Sequence, residues 1–236
     1  MEQNYTVEIY DNEEEWLAAR GIGGSSASAI LDENPHMTKL ELWNAILDKQ
    51  HNNTTTKKSK KNEILDYGHK AEPLIRKLVA LNLKAKYKVI APKKYEMYRR
   101  KDKPYITATI DSTLIDLESG KKGVLEIKTR KCKGRKEFDE WTIEKKIPQN
   151  YFIQCLHYLV AMNDMDFVVL VPKLILSKKQ RDEWVIDTET IVYGLIIWRE
   201  DVLKEVEYLE NKETHFWERN IIKREIPEVK IKLERK

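Results

Sequence analysis

Cysteine is scarce in this sequence: Cys132 and Cys155 are the only two among 236 residues. Two isolated thiols fit a reducing compartment, and they cannot complete a four-cysteine zinc or iron–sulfur site. No stretch approaches the roughly 18 consecutive apolar residues of a membrane span. The first residues also lack the basic start and apolar run of a signal peptide. We therefore expect a soluble, cytoplasmic protein with no membrane association.

A strong excess of one charge sign is missing as well. Charged residues make up 35% of the sequence, but the formal net charge is only +4. A nucleic-acid partner would therefore have to be bound by a local basic stripe. Hydrophobic residues make up 41% of the sequence, and there is no internal repeat. This composition and length predict one domain over 1–236, with a sizeable core.

Helices are predicted throughout the segment 12–50. Each begins at a side chain that can cap a helix: Asn12, Ser25 or Ser26, and Thr38 with Glu41 in a capping box. The stretch 50–61 is polar and basic, with no apolar residue to bury. It predicts a mobile loop that is either solvated or in contact with a polyanion.

The segment 62–172 is predicted to be the core of the domain. It opens with a helix in which Pro73 removes a backbone donor and should kink the chain just after Glu72. The strands predicted next are Lys86–Ala91, Tyr95–Arg100, Tyr105–Asp111, Ser112–Leu117 and Gly123–Thr129. A helix at Pro148–Met162 and a strand at Asp166–Val171 follow. The segment 184–220 is predicted to hold a strand at Ile191–Trp198 and a helix at Glu200–Asn220, and 221–236 is a charged tail. This order predicts an α/β (α+β) fold with a mostly antiparallel sheet.

The centre of the sequence brings charged groups onto strands that are otherwise apolar. Asp111 ends one predicted strand, and Glu126 and Lys128 share one face of another because side chains alternate along a strand. Neighbouring carboxylates repel each other unless a cation lies between them, and hard oxygen ligands suit Mg²⁺ or Mn²⁺. Lys128 supplies a positive charge for a phosphate oxygen, and the main-chain carbonyl of Ile127 can serve as a further metal ligand. Together these groups suit hydrolysis of a phosphodiester bond. An isolated Glu-x-Lys is equally typical of a solvated strand, so the prediction depends on Asp111.

Two further positions are candidates for the same centre. Glu72 is a possible third carboxylate and metal ligand, although most helix glutamates are simply solvated. Gln154 and Tyr158 lie one helical turn apart. They are either ordinary helix surface, or a pair that braces a metal ligand and stacks on nucleic acid.

Together these residues resemble the PD-(D/E)xK nuclease superfamily, with Asp111 as its Asp and Glu126-Ile127-Lys128 as its E-x-K. Gln154 and Tyr158 resemble the Q-x-x-x-Y element of the RecB-like branch. The chain is also similar to the YqaJ-type viral recombinases, relatives of the lambda exonuclease, in the stretches Gly21–Leu31, Asn34-Pro35, Leu40–Trp43 and Gly68–Leu74. One departure is Ile110, which stands where the family often has proline before the Asp.

The resemblance implies a restriction-endonuclease-like core with a central mixed sheet flanked by helices. It implies an exonuclease that digests the 5′-ended strand of linear double-stranded DNA and leaves 3′ single-stranded tails for phage-type recombination. We expect two Mg²⁺ ions, for which Mn²⁺ can substitute. A toroidal homotrimer and a single-strand annealing partner are also implied, in the host cytoplasm if the protein is viral. The implied catalytic residues are Glu72, Asp111, Glu126, Lys128 and Gln154.

The glycine-rich stretch beginning at Gly21 predicts a phosphate site. Free amides and hydroxyls at the start of a helix bind phosphate, and Arg20 would add a bidentate clamp. The resemblance implies that an arginine and a serine here hold the 5′-phosphate. Arg20 and Ser26 match these two residues, and the neighbouring Ser25 is a further candidate. Thr109 stands in the place of a third contact. A plain loop before a capped helix is the alternative.

A basic run follows the predicted catalytic strand and includes Arg130 and Lys131. It suits non-specific contact with the DNA backbone, or it is a solvated loop. Two other functions stay open: a structure- or sequence-specific DNA endonuclease of the same superfamily, and a non-catalytic DNA-binding module. The intact Asp111, Glu126 and Lys128 argue against the module, because a degenerate member would be free to lose them.

Overall fold

The computed structural model describes residues 2–50, 63–180 and 183–228. Its α-helices are α1 Glu13–Ala19, α2 Gly24–Ile30, α3 Lys39–Gln50, α4 Glu63–Leu83, α5 Arg135–Thr142, α6 Gln149–Ala161 and α7 Leu203–His215. A 3₁₀ turn at Arg199–Asp201 precedes α7, and a π-helical segment at Phe216–Ile222 follows it. The predicted loop at 50–61 lies outside the described residues from 51 onward, and the tail is described only to residue 228.

The strands form two sheets. They are β1 Tyr5–Ile9, β2 Tyr87–Ile90, β3 Glu96–Arg100, β4 Thr107–Ala108, β5 Ser112–Asp116, β6 Lys122–Cys132, β7 Phe167–Gln180, β8 Glu183–Ile191 and β9 Leu195–Trp198. The large sheet has the order β2-β5-β6-β7-β8, with β9 also paired to β7, and the small sheet has the order β1-β3-β4. Only β6 and β7 pair in parallel among the described strands, joined by the crossover through α5 and α6. The predicted mixed sheet flanked by helices is confirmed.

The two faces of the large sheet are covered by different helices. On β6, Val124 packs into the core cluster that contains α6, and Leu125 packs into the cluster that contains α4. Because side chains alternate along a strand, Glu126 and Lys128 lie on the α6 face. This alternation places the predicted carboxylate under a helix.

The predicted helix starts are confirmed in two cases and wrong in one. Asn12 caps α1 by accepting a hydrogen bond from the Glu15 amide at 2.9 Å. Thr38 and Glu41 form the predicted capping box. The second helix begins earlier than predicted, with Gly23 rather than a serine as its N-cap. Helix α4 continues through Pro73.

Several predicted elements differ in extent because tertiary pairing extends or shortens them. The strand predicted at Tyr105–Asp111 is limited to β4, which belongs to the small sheet. The strand predicted at Asp166–Val171 is longer in the structure, because β7 runs to Gln180 and pairs with β8. Pro172 and Lys173 interrupt the apolar residues of β7, and charged residues stand on both sides of those of β8, so neither segment forms a long continuous apolar run in the sequence. The same lack of an apolar run hides β1 and α5.

The long C-terminal helix predicted at Glu200–Asn220 is divided in the structure. It comprises the 3₁₀ turn, α7 and the π-helical segment. The π-helical segment packs Phe216 and Ile221 against α3, where the Trp43 indole donates to the Asn220 carbonyl at 2.8 Å. Within the described ranges, no helix is long and apolar enough to cross a membrane.

Candidate active site

Glu126 is a buried carboxylate held by hydrogen bonds to both of its oxygens. Only 3% of the residue is exposed. Its Oε1 lies 2.6 Å from Lys128 Nζ and accepts a hydrogen bond from Gln154 Nε2 at 2.7 Å. Its Oε2 accepts a hydrogen bond from the Tyr158 hydroxyl at 2.6 Å. Since Gln154 Nε2 also donates to that hydroxyl at 2.7 Å, α6 orients the carboxylate through a connected pair.

Asp111 meets β6 where the pairing between β5 and β6 ends. That pairing stops at Ser112 opposite Leu125, so the next part of β6 is open on this side. The Ile127 amide donates to Asp111 Oδ2 at 2.6 Å. The amide and carbonyl of one strand residue point to the same side of the strand. The Ile127 carbonyl therefore faces Asp111, as a ligand role for it requires.

The charges of this group are strongly coupled. Burial and the negative charges of Glu126 and Glu72 raise the pKa of Asp111 well above its usual range, against the opposing Ile127 amide and Lys128. Burial lowers the pKa of Lys128, but the attraction of Glu126 and Asp111 outweighs it, so that the pKa is raised. Lys128 therefore stays a cation, whereas ionised Asp111 needs further positive charge.

Glu72 is not drawn into the cluster. It forms an ion pair with Arg76, one turn further along α4, and its side chain is 33% exposed. Among the described residues, no three or more His, Cys, Asp or Glu side chains are close enough together to hold a metal ion. The structure therefore brings Asp111, Glu126 and Lys128 together, and Glu72 acts on Asp111 only through its charge.

The donor set that remains fits a hard divalent cation. It consists of the Asp111 and Glu126 carboxylates and the Ile127 carbonyl, all oxygen ligands of the kind that Mg²⁺ and Mn²⁺ prefer. Asp111 Oδ1 makes no hydrogen bond to any described residue, so it has free lone pairs. A cation at this place would also relieve the repulsion that raises the pKa of Asp111.

Tyr158 does not lie on the helix surface, which was one of the two alternatives for its pair with Gln154. It is 2% exposed and lies inside the hydrogen-bond network of Glu126. The expectation that it stacks on nucleic acid is therefore wrong, because its ring is not accessible to a base. Its role as a brace for a candidate metal ligand agrees with the geometry.

The glycine-rich stretch is hydrogen-bonded to the segment around β4, which leads to Asp111. The Ile22 amide donates to the Tyr105 carbonyl at 2.7 Å, and the Gly21 amide donates to Thr107 Oγ1 at 3.1 Å. A Cβ at Gly21 would lie 2.1 Å from the Tyr105 oxygen, and a Cβ at Gly24 would lie 3.0 Å from Tyr158 Cε1. Only glycine permits both close approaches, so α2 begins directly against the residues that brace Glu126.

Arg20 stands beside this stretch without a described anionic partner. Its guanidinium carbon lies 4.9 Å from the Trp16 ring centroid, and it forms no hydrogen bond or ion pair within the described chain. Burial lowers the pKa of Arg20, and Tyr158 opposes this effect. The indole Nε1 of Trp16 is also buried without a hydrogen-bond partner. The partly exposed Arg20 guanidinium is therefore available to an anion, whereas the Trp16 Nε1 is enclosed.

The other predicted phosphate contacts differ in availability. Ser25 is exposed, and the partly buried Thr109 makes no hydrogen bond to any described residue. The Ser26 hydroxyl is used at the start of α2, where it donates to the Gly23 carbonyl at 2.9 Å and accepts from the Gly23 amide at 3.1 Å. Arg130 and Lys131 lie on β6 rather than in a loop; Arg130 pairs with Glu137.

A buried ion pair behind the site was missed in the sequence. His157 Nδ1 lies 2.7 Å from Glu213 Oε1, and His157 Nε2 lies 2.9 Å from the Thr107 carbonyl oxygen. Both side chains are fully buried. Because a carbonyl can only accept, Nε2 must carry a proton. The pair links α6, α7 and β4, and a histidine at the centre of an apolar helix was the only signal of it in the sequence.

Comparisons with known proteins agree with this geometry. Residues 15–163 match the family model described as YqaJ-like viral recombinase domain. The protein YqaJ of Bacillus subtilis (strain 168) is 30% identical over 182 residues, which are 74% of this chain and 52% of that protein. The chain thus spans about half the length of this relative.

Solved structures share the fold. The alkaline exonuclease LHK-Exo from Laribacter hongkongensis superposes with a TM-score of 0.56 at 18% identity, over 89% of this chain and 96% of that one. The LHK-Exo complex with dAMP gives a TM-score of 0.58 at 16% identity, over 89% and 95%. The chain thus shares the fold of this alkaline exonuclease, and from the match over residues 15–163 it belongs to the YqaJ-like viral recombinase family.

Proposed function

We propose that the chain is a metal-dependent exonuclease that digests linear double-stranded DNA from 5′ to 3′ and leaves 3′ single-stranded tails for phage-type recombination. The observation that carries the proposal is the contact of Asp111 with the Ile127 amide, beside Glu126 and Lys128. The family and the shared fold with an alkaline exonuclease support it. A homotrimer and a single-strand annealing partner are part of the same proposal.

Each residue has a role that its contacts support. Asp111, Glu126 and the Ile127 carbonyl would hold Mg²⁺ or Mn²⁺, and a second ion nearby would complete the pair that we expect. When bound, the metal supplies Lewis-acid catalysis and a water of lowered pKa. Lys128 offers a point charge to a phosphate oxygen. Gln154 and Tyr158 keep Glu126 in one orientation.

The end of the DNA is recognised, we propose, at Arg20. Its guanidinium is partly exposed and has no anionic partner among the described residues. A terminal phosphate carries up to two negative charges and accepts several hydrogen bonds, so it suits this guanidinium. Ser25 and Thr109 have hydroxyls available for the same group, whereas the Ser26 hydroxyl already caps α2.

End-labelled linear duplexes test the activity. With Mg²⁺ or Mn²⁺, the 5′-phosphorylated duplex should be degraded to nucleotides, and covalently closed circular DNA should stay intact because it has no end. Ca²⁺ should support DNA binding without cleavage, because it takes looser geometry. Cleavage of the circle would favour the endonuclease, and cleavage in EDTA would refute the metal centre.

The anchor is tested by comparing 5′-phosphate and 5′-hydroxyl ends. A charge-assisted bidentate contact is worth about 1.5–3 kcal/mol, so the wild type should prefer the phosphate about ten- to a hundred-fold. Arg20→Ala should remove most of this preference, while Arg219→Ala, which removes an exposed arginine elsewhere, should keep it. Equal initial rates of the wild type on both ends would refute the anchor.

A further inference from the structure

A cavity of about 550 Å³ opens between the end of β6 and α5, close to the candidate active site. We call it the basic groove, and its charged lining residues are Arg130, Lys133, Lys136, Lys146, Glu137 and Glu140. The predicted DNA contact at Arg130 therefore belongs to a concave surface. Lys146 comes from the far side of α5 in the sequence, so that the fold rather than the basic run assembles this surface.

The basic groove has more positive charge than its own carboxylates neutralise. Glu137 is already engaged by Arg130 Nη2 at 2.6 Å. Lys133, Lys136 and Lys146 are exposed, and none of them forms an ion pair with another described residue. Exposed lysines are common on any surface, but here they surround one cavity. Its four cations face two carboxylates, which favours an anionic occupant.

The basic groove adjoins the active site along β6. Arg130 follows Lys128 on the same face of β6, about 6.7 Å further along the strand. The Lys128 ammonium lies 5.5 Å from the Tyr151 ring centroid, and that ring lies 6.0 Å from the ring of Trp141, which lines the groove. Lys128 and the groove thus share one packed set of neighbours at this end of β6.

We propose that the basic groove binds the phosphates of the DNA strand next to the bond that is cleaved. This inference rests on the proposed function and deepens it, since it names the residues that hold the substrate between successive cuts. Each strand of DNA carries one charge per roughly 3.4 Å of helix axis, so a strand that passes Lys128 presents further phosphates to the groove. Contacts of this kind are independent of base sequence and weaken with salt.

The salt dependence of DNA binding tests the groove. Binding of a 5′-phosphorylated duplex is measured in EDTA for the wild type and for Lys136→Ala/Lys146→Ala. Loss of two phosphate contacts should lower the slope of log Kd against log salt by about 1.8. Between 50 and 200 mM salt, the wild type should then lose about twelve-fold more affinity than the variant loses. In Mg²⁺, the variant should also release long duplexes after fewer cuts.

The matched control is Lys84→Ala/Lys88→Ala. It removes the same two charges from exposed lysines at and beside the β2 edge of the sheet. A wild-type slope in the groove variant would overturn the inference, as would an equal loss in both double variants. A wild type that cleaves no DNA would instead refute the proposed activity. Its binding slopes would still show whether the groove holds the strand.

Discussion

Tyr158→Phe tests whether the Tyr158 hydroxyl braces Glu126. The change removes one oxygen and keeps the ring in place. It takes away the donor that holds Glu126 Oε2 at 2.6 Å and an acceptor of Gln154 Nε2 at 2.7 Å. The packing of the buried ring should survive the change, so that any effect reports on the hydroxyl.

The expected size of the effect follows from these contacts. A hydrogen bond to a charged group contributes about 1.5–3 kcal/mol, and Glu126 is 3% exposed, so that water cannot replace the lost donor. We expect the free energy of unfolding to fall by about this amount. Glu126 also loses the contact that fixes Oε2, while Lys128 and Gln154 still hold Oε1. If the same energy is lost in the transition state, the cleavage rate falls about ten- to a hundred-fold.

Both quantities can be measured with one pair of proteins. Unfolding in urea without metal gives the stability, and single-turnover cleavage of a linear duplex at saturating Mg²⁺ gives the rate. Tyr208→Phe is the control, because Tyr208 is 53% exposed and should change neither quantity. Wild-type stability and rate in Tyr158→Phe would refute the bracing role of the hydroxyl.

The remaining predictions concern other parts of the site. Asp111→Asn should abolish cleavage. The metal-free protein should be equally or more stable at neutral pH, because a charge at this position is unfavourable in the fold. A clear loss of stability would contradict this. Burial alone would lower the pKa of His157, but the raising effects of Glu213 and the Thr107 carbonyl are larger, so the pKa is raised. The ion pair of His157 with Glu213 should therefore stabilise the fold fully below pH of about 6.5, and this stabilisation should be lost as the pH rises through the native pKa. Urea titrations should show the free energies of unfolding of the wild type and His157→Gln converging over that rise. Gly21→Ala should cost about 1–3 kcal/mol or more and reduce the preference for a 5′-phosphate, because its Cβ would lie 2.1 Å from the Tyr105 oxygen; wild-type melting would refute that contact.

The sequence by itself determined the features that depend on local periodicity. Alternation along β6 is enough to place Glu126 and Lys128 on one face. Capping chemistry within four residues is enough to start α1 at Asn12 and α3 at Thr38. Element order alone predicted a mostly antiparallel sheet, and the mixed sheet that contains the parallel pair β6 and β7 was implied only by the resemblance to the nuclease superfamily.

Only the tertiary structure decided which side chains meet. Asp111 reaches the Ile127 amide because β5 leaves β6 unpaired at that point, and no spacing in the sequence records where a ladder ends. Glu72 pairs with Arg76 instead, since a partner one turn away competes with a distant cluster. His157 and Glu213 meet across 56 positions of sequence. Such contacts are set by how helices pack on the sheet, and local patterns carry no information about that packing.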